Sequence, residues 1–238
     1  MRRIDLQTTS STNTILKGMD FDGETTLLTT QFQTGGRGSG TNTWESQEGK
    51  NLLFSLAFRP LDLEAHSAFV LSEAMALSVC EALSTYADGF CVKWPNDIYH
   101  GTRKVAGMLI ENDLMGRRVD RCVIGVGLNV NQCEFESDAP NPVSLMQITG
   151  REMEREEVLG RLMERFEDYR SMVDRRLYAD IHRRYLSHLY RMGEEHAYAD
   201  AQGDFRATII DVEPTGNIIL RDTEGQTRRY AFKEIIYK

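Results

Sequence analysis

Between Ala68 and Tyr86 the apolar residues Leu71, Met75, Val79, Leu83 and Tyr86 recur three or four apart, while Glu73, Glu81 and Ser84 fall elsewhere on the wheel. This spacing predicts one amphipathic helix, and an apolar stripe of that length needs a flat apolar surface to lie on. Runs of strand character flank it at 25–32, 51–58, 105–110 and 121–126, with turn-prone glycines between several of them. A helix covering one face of a sheet drawn from both sides of it in sequence is an α+β arrangement.

From Glu152 to about Met192 charged residues dominate. Apolar positions still recur at helical spacing, first Val158, Leu162, Phe166 and Tyr169, then Leu177, Ile181, Tyr185 and Leu189, which predicts two helices. Arg183 and Arg184 have acidic neighbours and read as part of a solvated face. After Met192 the runs FRATIIDV, NIILRD and RRYAFKEI are short and β-rich, with turn signals at 215–217 and 224–225. The expected division is 1–192 for the α+β part and 193–238 for a small β-barrel appendage.

Composition excludes some partners. The 238 residues carry 28 basic and 36 acidic side chains, a net charge of -8, the wrong sign for a protein whose main partner is a polyphosphate backbone. No DNA binding is expected. The start, MRRIDLQTTSSTN, lacks the apolar core of a secretory signal, and Glu73 and Glu81 interrupt the most apolar stretch, so the expectation is a cytoplasmic protein with no membrane partner. Cys80, Cys91, Cys122 and Cys133 show no C-x-x-C and no histidine at zinc spacing; they read as reduced, mostly packed thiols.

Two segments carry chemistry. Residues 31–44, QFQTGGRGSGTNTW, place Gly35, Gly36, Gly38 and Gly40 around Arg37 after a predicted strand. Such a loop can bring backbone N–H groups to an anion, and a guanidinium adds a forked cation, although a flexible connection would have the same composition. It is neither a P-loop nor G-x-G-x-x-G, since no Gly-Lys-Ser/Thr follows and Thr41 stands at the third glycine position.

Residues 93–112, KWPNDIYHGTRKVAGMLIEN, form the second segment. Pro95 biases Trp94 toward an extended backbone, and Asn96 and Asp97 are then presented at a turn. That carboxylate can hold Mg²⁺ or take a proton, whereas an Asx-turn would use both side chains on nearby backbone. Lys104 opens an apolar run expected to be a buried strand, and Gly107 leaves room there for something flat. With Arg37 and Lys93, these residues suggest a specific phosphate site in a net acidic protein.

Taken in order, SSTN (10–13), QTGGRG (33–38), KWPND (93–97), RKVAGMLIE (103–111) and IGVGLNVN (124–131) resemble the biotin protein ligases, in their short form without an N-terminal DNA-binding domain. The resemblance implies a catalytic domain related to class II aminoacyl-tRNA synthetases and lipoate ligases, with a central mixed sheet and flanking helices, followed by an SH3-like barrel. It also implies a reaction. Biotin and MgATP give biotinyl-5′-AMP, and a lysine of a biotin carboxyl carrier protein then takes the biotinyl group; a homodimer is left open.

Carried over residue by residue, the resemblance assigns biotin contacts to Ser11, Thr12, Asn13, Gln33, Gly36, Arg37, Lys104, Gly107 and Gly127. Adenylate contacts fall to Arg37, Gly38, Ser39, Trp44, Lys93, Asn96, Asp97, Lys104 and Asn129, with Lys104, Arg37 and Asp97 catalytic and Asp97 a Mg²⁺ ligand. Ser11 to Asn13 would equally serve as a helix N-cap, and GVGLN as a strand exit. Where relatives commonly read G-R-G-R-x-G-R-x-W, this chain has Ser39 and Asn42 in place of two arginines, and a hydroxyl supplies neither the charge nor the fork of a guanidinium. The rivals are a lipoate or octanoyl ligase on the same fold, a non-catalytic biotin-binding module, and a repressor, disfavoured because SSTN starts at residue 10.

Overall fold

The structure, a computed structural model, describes residues 1–136 and 141–238. The chain begins with β1 (Arg2–Thr9), α1 (Thr12–Gly18), β2 (Thr26–Gln33) and β3 (Leu52–Phe58), followed by the long apolar helix α2 (Phe69–Leu83). Next come the hairpin β4 (Phe90–Lys93) and β5 (Asp97–His100) and the long hairpin β6 (Arg103–Met115) and β7 (Arg118–Leu128). These strands form one seven-stranded mixed sheet in the order β1-β2-β3-β7-β6-β5-β4, parallel between β1 and β2. The expected strands are present: those at 25–32 and 51–58 match to within a residue, and those at 105–110 and 121–126 run on past their apolar residues, because the ends of β6 and β7 are exposed to water. β1 was not expected: its exposed polar positions hide an edge strand.

Helix α2 differs from the simple amphipathic expectation. It is covered on nearly all sides, by the sheet on one side and by α4 (Arg155–Asp174) and α5 (Tyr178–Ser187) on the other, after a short α3 (Leu145–Thr149). The span Ala65–Leu83 is long and apolar enough by composition to cross a membrane, yet 67% of its most apolar window is buried inside the fold. Packing on both sides makes this a core helix rather than a surface one.

The opposite face of the sheet is only partly covered. Leu16 of α1 packs there with Leu28, Ala57 and Val123 in a small separate cluster. On β7 the even-numbered Ile124, Val126 and Leu128 enter the main core, so the odd-numbered residues face α1 and the space beside it, as a period of two demands. That space becomes the cavity described below.

The C-terminal sheet contains β8 (Glu195–Asp200), β9 (Gly203–Val212), β10 (Ile218–Asp222), β11 (Thr227–Tyr230) and β12 (Ile236–Tyr237), antiparallel in the order β11-β10-β9-β8-β12. Two features join it to the rest. Trp94, 4% exposed, donates from Nε1 to the Gly216 carbonyl at 2.9 Å, and that turn lies so close to Phe69 that a Cβ at Gly216 would meet its ring. His182 of α5 reaches the buried Glu73 of α2 at 2.7 Å with one ring nitrogen and Asp211 of β9 at 2.9 Å with the other.

Both imidazole nitrogens can donate only in the charged ring. The hydrogen bond to Glu73 pushes His182 up from 6.5 to about 9, against the opposing effect of burial and with further help from Asp211. A folded-state value above the unfolded one gives stabilisation that is complete below about pH 6.5 and lost as pH rises through about 9. In urea unfolding, the stability gap between wild type and His182→Ala should therefore narrow by about 1–2 kcal/mol across that interval, after discounting for solvent at the partly exposed ring.

Candidate functional site

Cross-strand register brings the two chemical segments onto one surface. Asp97 of β5 lies opposite Gly107 of β6, which lies opposite Gly127 of β7, so all three share the open face of the sheet. Lys104 is three residues from Gly107 and would point to the opposite face of a regular strand. A bulge prevents this. The register shifts between Ile98 and Tyr99, Val105 is left without a partner, and Lys104 pairs with Tyr99 on the face of Asp97 and Gly107. Lys104 Nζ then meets Asp97 Oδ1 at 2.6 Å.

The cavity over this face has a volume of about 1060 Å³, the size of a large ligand site. Arg37 and Lys104 both line it, so these two positive groups converge on one space. At one end lie Ser11, Thr12, Asn13 and Gln33, with the first three at the start of α1. Ser11 is the N-cap residue, but its hydroxyl makes no capping bond and lines the cavity instead. Thr12 donates through its backbone N–H to Gln33 Oε1 at 2.8 Å. Asn13 is buried: Ser55 Oγ donates to its Oδ1 at 2.6 Å, and its Nδ2 donates to Glu111 Oε2 at 2.9 Å. A Cβ at Gly125 would overlap the Asn13 amide, which explains the glycine there.

The glycine-rich segment is a short ribbon rather than an anion nest. Gly38 N donates to Asn42 O at 2.8 Å and Trp44 N to Gly36 O at 2.9 Å, so these N–H groups serve the ribbon itself. Gly36 lies against the Trp44 carbonyl, where a Cβ would not fit. Beyond the ribbon, the Trp44 indole lies flat over Gly107 and Gly127, both of which must lack a Cβ for it to do so. The flat group expected at Gly107 is thus supplied, in this state, by the chain itself. At the tip, Ser39 Oγ accepts a hydrogen bond from Asn96 Nδ2 at 2.8 Å.

Each cation of the sheet and ribbon already has company. Arg37 pairs with Glu111 at 3.3 Å, and Lys104 also lies 5.6 Å from the Trp44 ring. Burial works against the charge of Glu111, but hydrogen bonding by Asn13, with Arg37 and Lys17 nearby, holds its carboxyl below the usual range. Lys93 donates to Tyr99 Oη at 3.1 Å and lies over the Tyr99 and Tyr237 rings. Burial, opposed by Asp97, pulls its ammonium below the ordinary lysine value.

Of the sixteen residues expected at the site, fourteen line the cavity; Gly36 and Asn129 do not. Gly36 is buried within the ribbon against the Trp44 carbonyl. Asn129 is buried off the cavity, with Nδ2 donating to the Val143 carbonyl at 3.3 Å and its backbone N–H to the Val105 carbonyl at 2.9 Å, so here it joins the exit of β7 to the bulge. The sequence reading missed Glu111, Gly125 and the segment around Phe232, Lys233 and Tyr237 that forms one wall. Glu111 stands at the end of RKVAGMLIE and was within reach of that motif; the C-terminal segment carries no local signal of its position.

Replacing Gly127 by alanine should drive the Trp44 indole off the sheet. Trp94, the other of the two tryptophans, is buried and held by its bond to Gly216, so the expected result is a red shift in tryptophan emission that Gly127→Ala shows and Gly127→Ala/Trp44→Phe does not.

Comparison with known proteins agrees with this geometry. Residues 6–129 match the biotin/lipoate A/B protein ligase family. The chain is 30% identical over 217 residues to the bifunctional ligase/repressor BirA of Bacillus subtilis, covering 87% of this chain and 65% of that protein, so it spans about two thirds of that relative's length. It is 29% identical over 201 residues to the biotin–[acetyl-CoA-carboxylase] ligase of Paracoccus denitrificans, covering 82% of this chain and 83% of that one. Among solved structures, the biotin protein ligase of Aquifex aeolicus in complex with biotin and ATP superposes with a TM-score of 0.81 at 28% identity, over 100% of this chain and 98% of that one. This chain belongs to the biotin/lipoate A/B protein ligase family.

Proposed function

We propose that this protein is a biotin protein ligase: it joins biotin to AMP at the expense of MgATP, then passes the biotinyl group to a lysine of a carboxylase's carrier protein. The observation that carries this reading is the single cavity with a polar end at Ser11, Thr12, Asn13 and Gln33 and a cationic end at Lys104, Lys93 and Arg37. A small polar head can be held at the first end while its carboxylate reaches the second. In this reading residues 1–192 form the catalytic unit, and 193–238 the appended barrel that closes one wall.

When the biotin carboxylate attacks the α-phosphorus, charge grows on the non-bridging oxygens. A fixed ammonium at Lys104 and the Arg37 guanidinium stabilise that state more than the ground state. Asn96, bonded to the Met108 carbonyl and to Ser39, is held rigidly beside them to receive the nucleotide. The ribbon and the C-terminal wall exclude water from the anhydride until an amine arrives.

The residues fit a metal that arrives with the nucleotide. No group of three His, Cys, Asp or Glu side chains is placed to hold a metal among the described residues, and Mg²⁺ is commonly held by one or two carboxylates plus phosphates. Asp97, beside Lys104, would be the protein carboxylate. Bound there, Mg²⁺ supplies neutralisation of phosphate charge.

Incubation with labelled biotin, MgATP and a biotin carrier domain should label the carrier, and lipoate should not substitute; transfer of lipoate instead would assign the site to the other branch of the family. Lys104→Ala should abolish biotin-dependent pyrophosphate exchange while circular dichroism stays native. Because Ser39 brings no charge to the ribbon tip, Ser39→Arg should slow dissociation of biotinyl-AMP, roughly tenfold for one added charge-assisted bond.

A further inference from the structure

The C-terminal wall places a fourth cation in the cavity. Lys233 lines it from the segment between β11 and β12, and its ammonium lies so close to the ribbon tip that a Cβ at Gly40 would clash with it. Gly40 neighbours Ser39, whose hydroxyl is bonded to Asn96, the residue before Asp97. Lys233 is therefore at the same end of the cavity as Lys104 and Asp97.

Two features separate Lys233 from an ordinary surface lysine. Its backbone has φ 71, the left-handed region that a side chain with a Cβ rarely adopts. Such outliers are retained where the surroundings over-determine them, often at ligand sites. Its charge is also unmatched: Arg37 faces Glu111, Lys104 faces Asp97, and Lys93 meets Tyr99, but Lys233 has no hydrogen-bond or carboxylate partner among the described residues. A cation facing a cavity with no counter-charge is suited to an anion that enters from solution.

We propose that Lys233 binds the nucleotide's phosphate oxygens, supplying from the C-terminal segment a positive charge that the ribbon lacks at Ser39 and Asn42. The proposal rests on the nucleotide-binding half of the reading above. The ammonium reaches past Gly40, which has no side chain to block it, and the phosphates join ribbon, sheet and C-terminal wall into one closed site.

Direct titration of MgATP without biotin tests this independently of ligase activity. Lys233→Gly should weaken ATP binding about tenfold, with a steeper loss at low salt, while thermal stability stays equal or rises because glycine suits the left-handed backbone. Lys233→Arg should restore most of the affinity. Release of preformed biotinyl-AMP, measured in the same variants, distinguishes contact with the retained α-phosphate from contact with the departing pyrophosphate: faster release indicates the former, unchanged release with weaker ATP binding the latter. Unchanged ATP affinity in Lys233→Gly would overturn the proposal, as would an equal loss that arginine does not repair. Carrier labelling by the wild type reports separately on the ligase reading.

Discussion

One irregularity in the sheet organises the site. The bulge at Val105 turns Lys104 onto the face of Asp97, Gly107 and Gly127; a regular strand would bury its ammonium against the main core, where an unpaired charge is not tolerated. The cost of the bulge is a lost ladder pairing. Asn129 and the segment around Pro142 recover part of it, since Asn129 N donates to Val105 O, and Lys104 exchanges backbone hydrogen bonds with Asn141 and Val143.

Glycines then decide what can approach that face. Gly107 and Gly127 are cross-strand partners and admit a flat indole, while Gly125 admits the Asn13 amide. These positions lie on two adjacent same-face registers of β6 and β7, so side chains from other segments rest directly on the sheet there. Binding chemistry resides in the groups arranged around the cavity, and the aromatic placeholder over its floor must move when a ligand takes that place.

The second sheet is a structural part of the site. Trp94, within KWPND, lines the cavity but gives its indole N–H to the Gly216 carbonyl at the joint, and His182 ties α2, α5 and β9 together by one hydrogen bond from each ring nitrogen. These contacts hold Lys233 and Tyr237 against the cavity, across a distance in sequence that no local pattern encodes. A motif thus contributes residues to two different places: the side chains of Asn96 and Asp97 to the cavity, the Trp94 indole N–H to the seam.

Periodicity and turn chemistry were enough to identify an α+β part followed by a β-rich one, because those signals come from neighbours a few residues apart. The motifs at 33–38, 93–97 and 103–111 likewise pointed to anion chemistry through residue type alone. Exposed β1 was hidden because an edge strand with polar positions has little apolar contrast, and the all-round burial of α2 was hidden because it depends on which helices return to cover it. What only the tertiary structure decided is orientation: the bulge that puts Lys104 and Gly107 on one side, the indole resting on glycines, and Lys233 brought to Gly40 from the far end of the chain. Side-chain direction follows hydrogen-bond register, and register is set by pairing between strands distant in sequence.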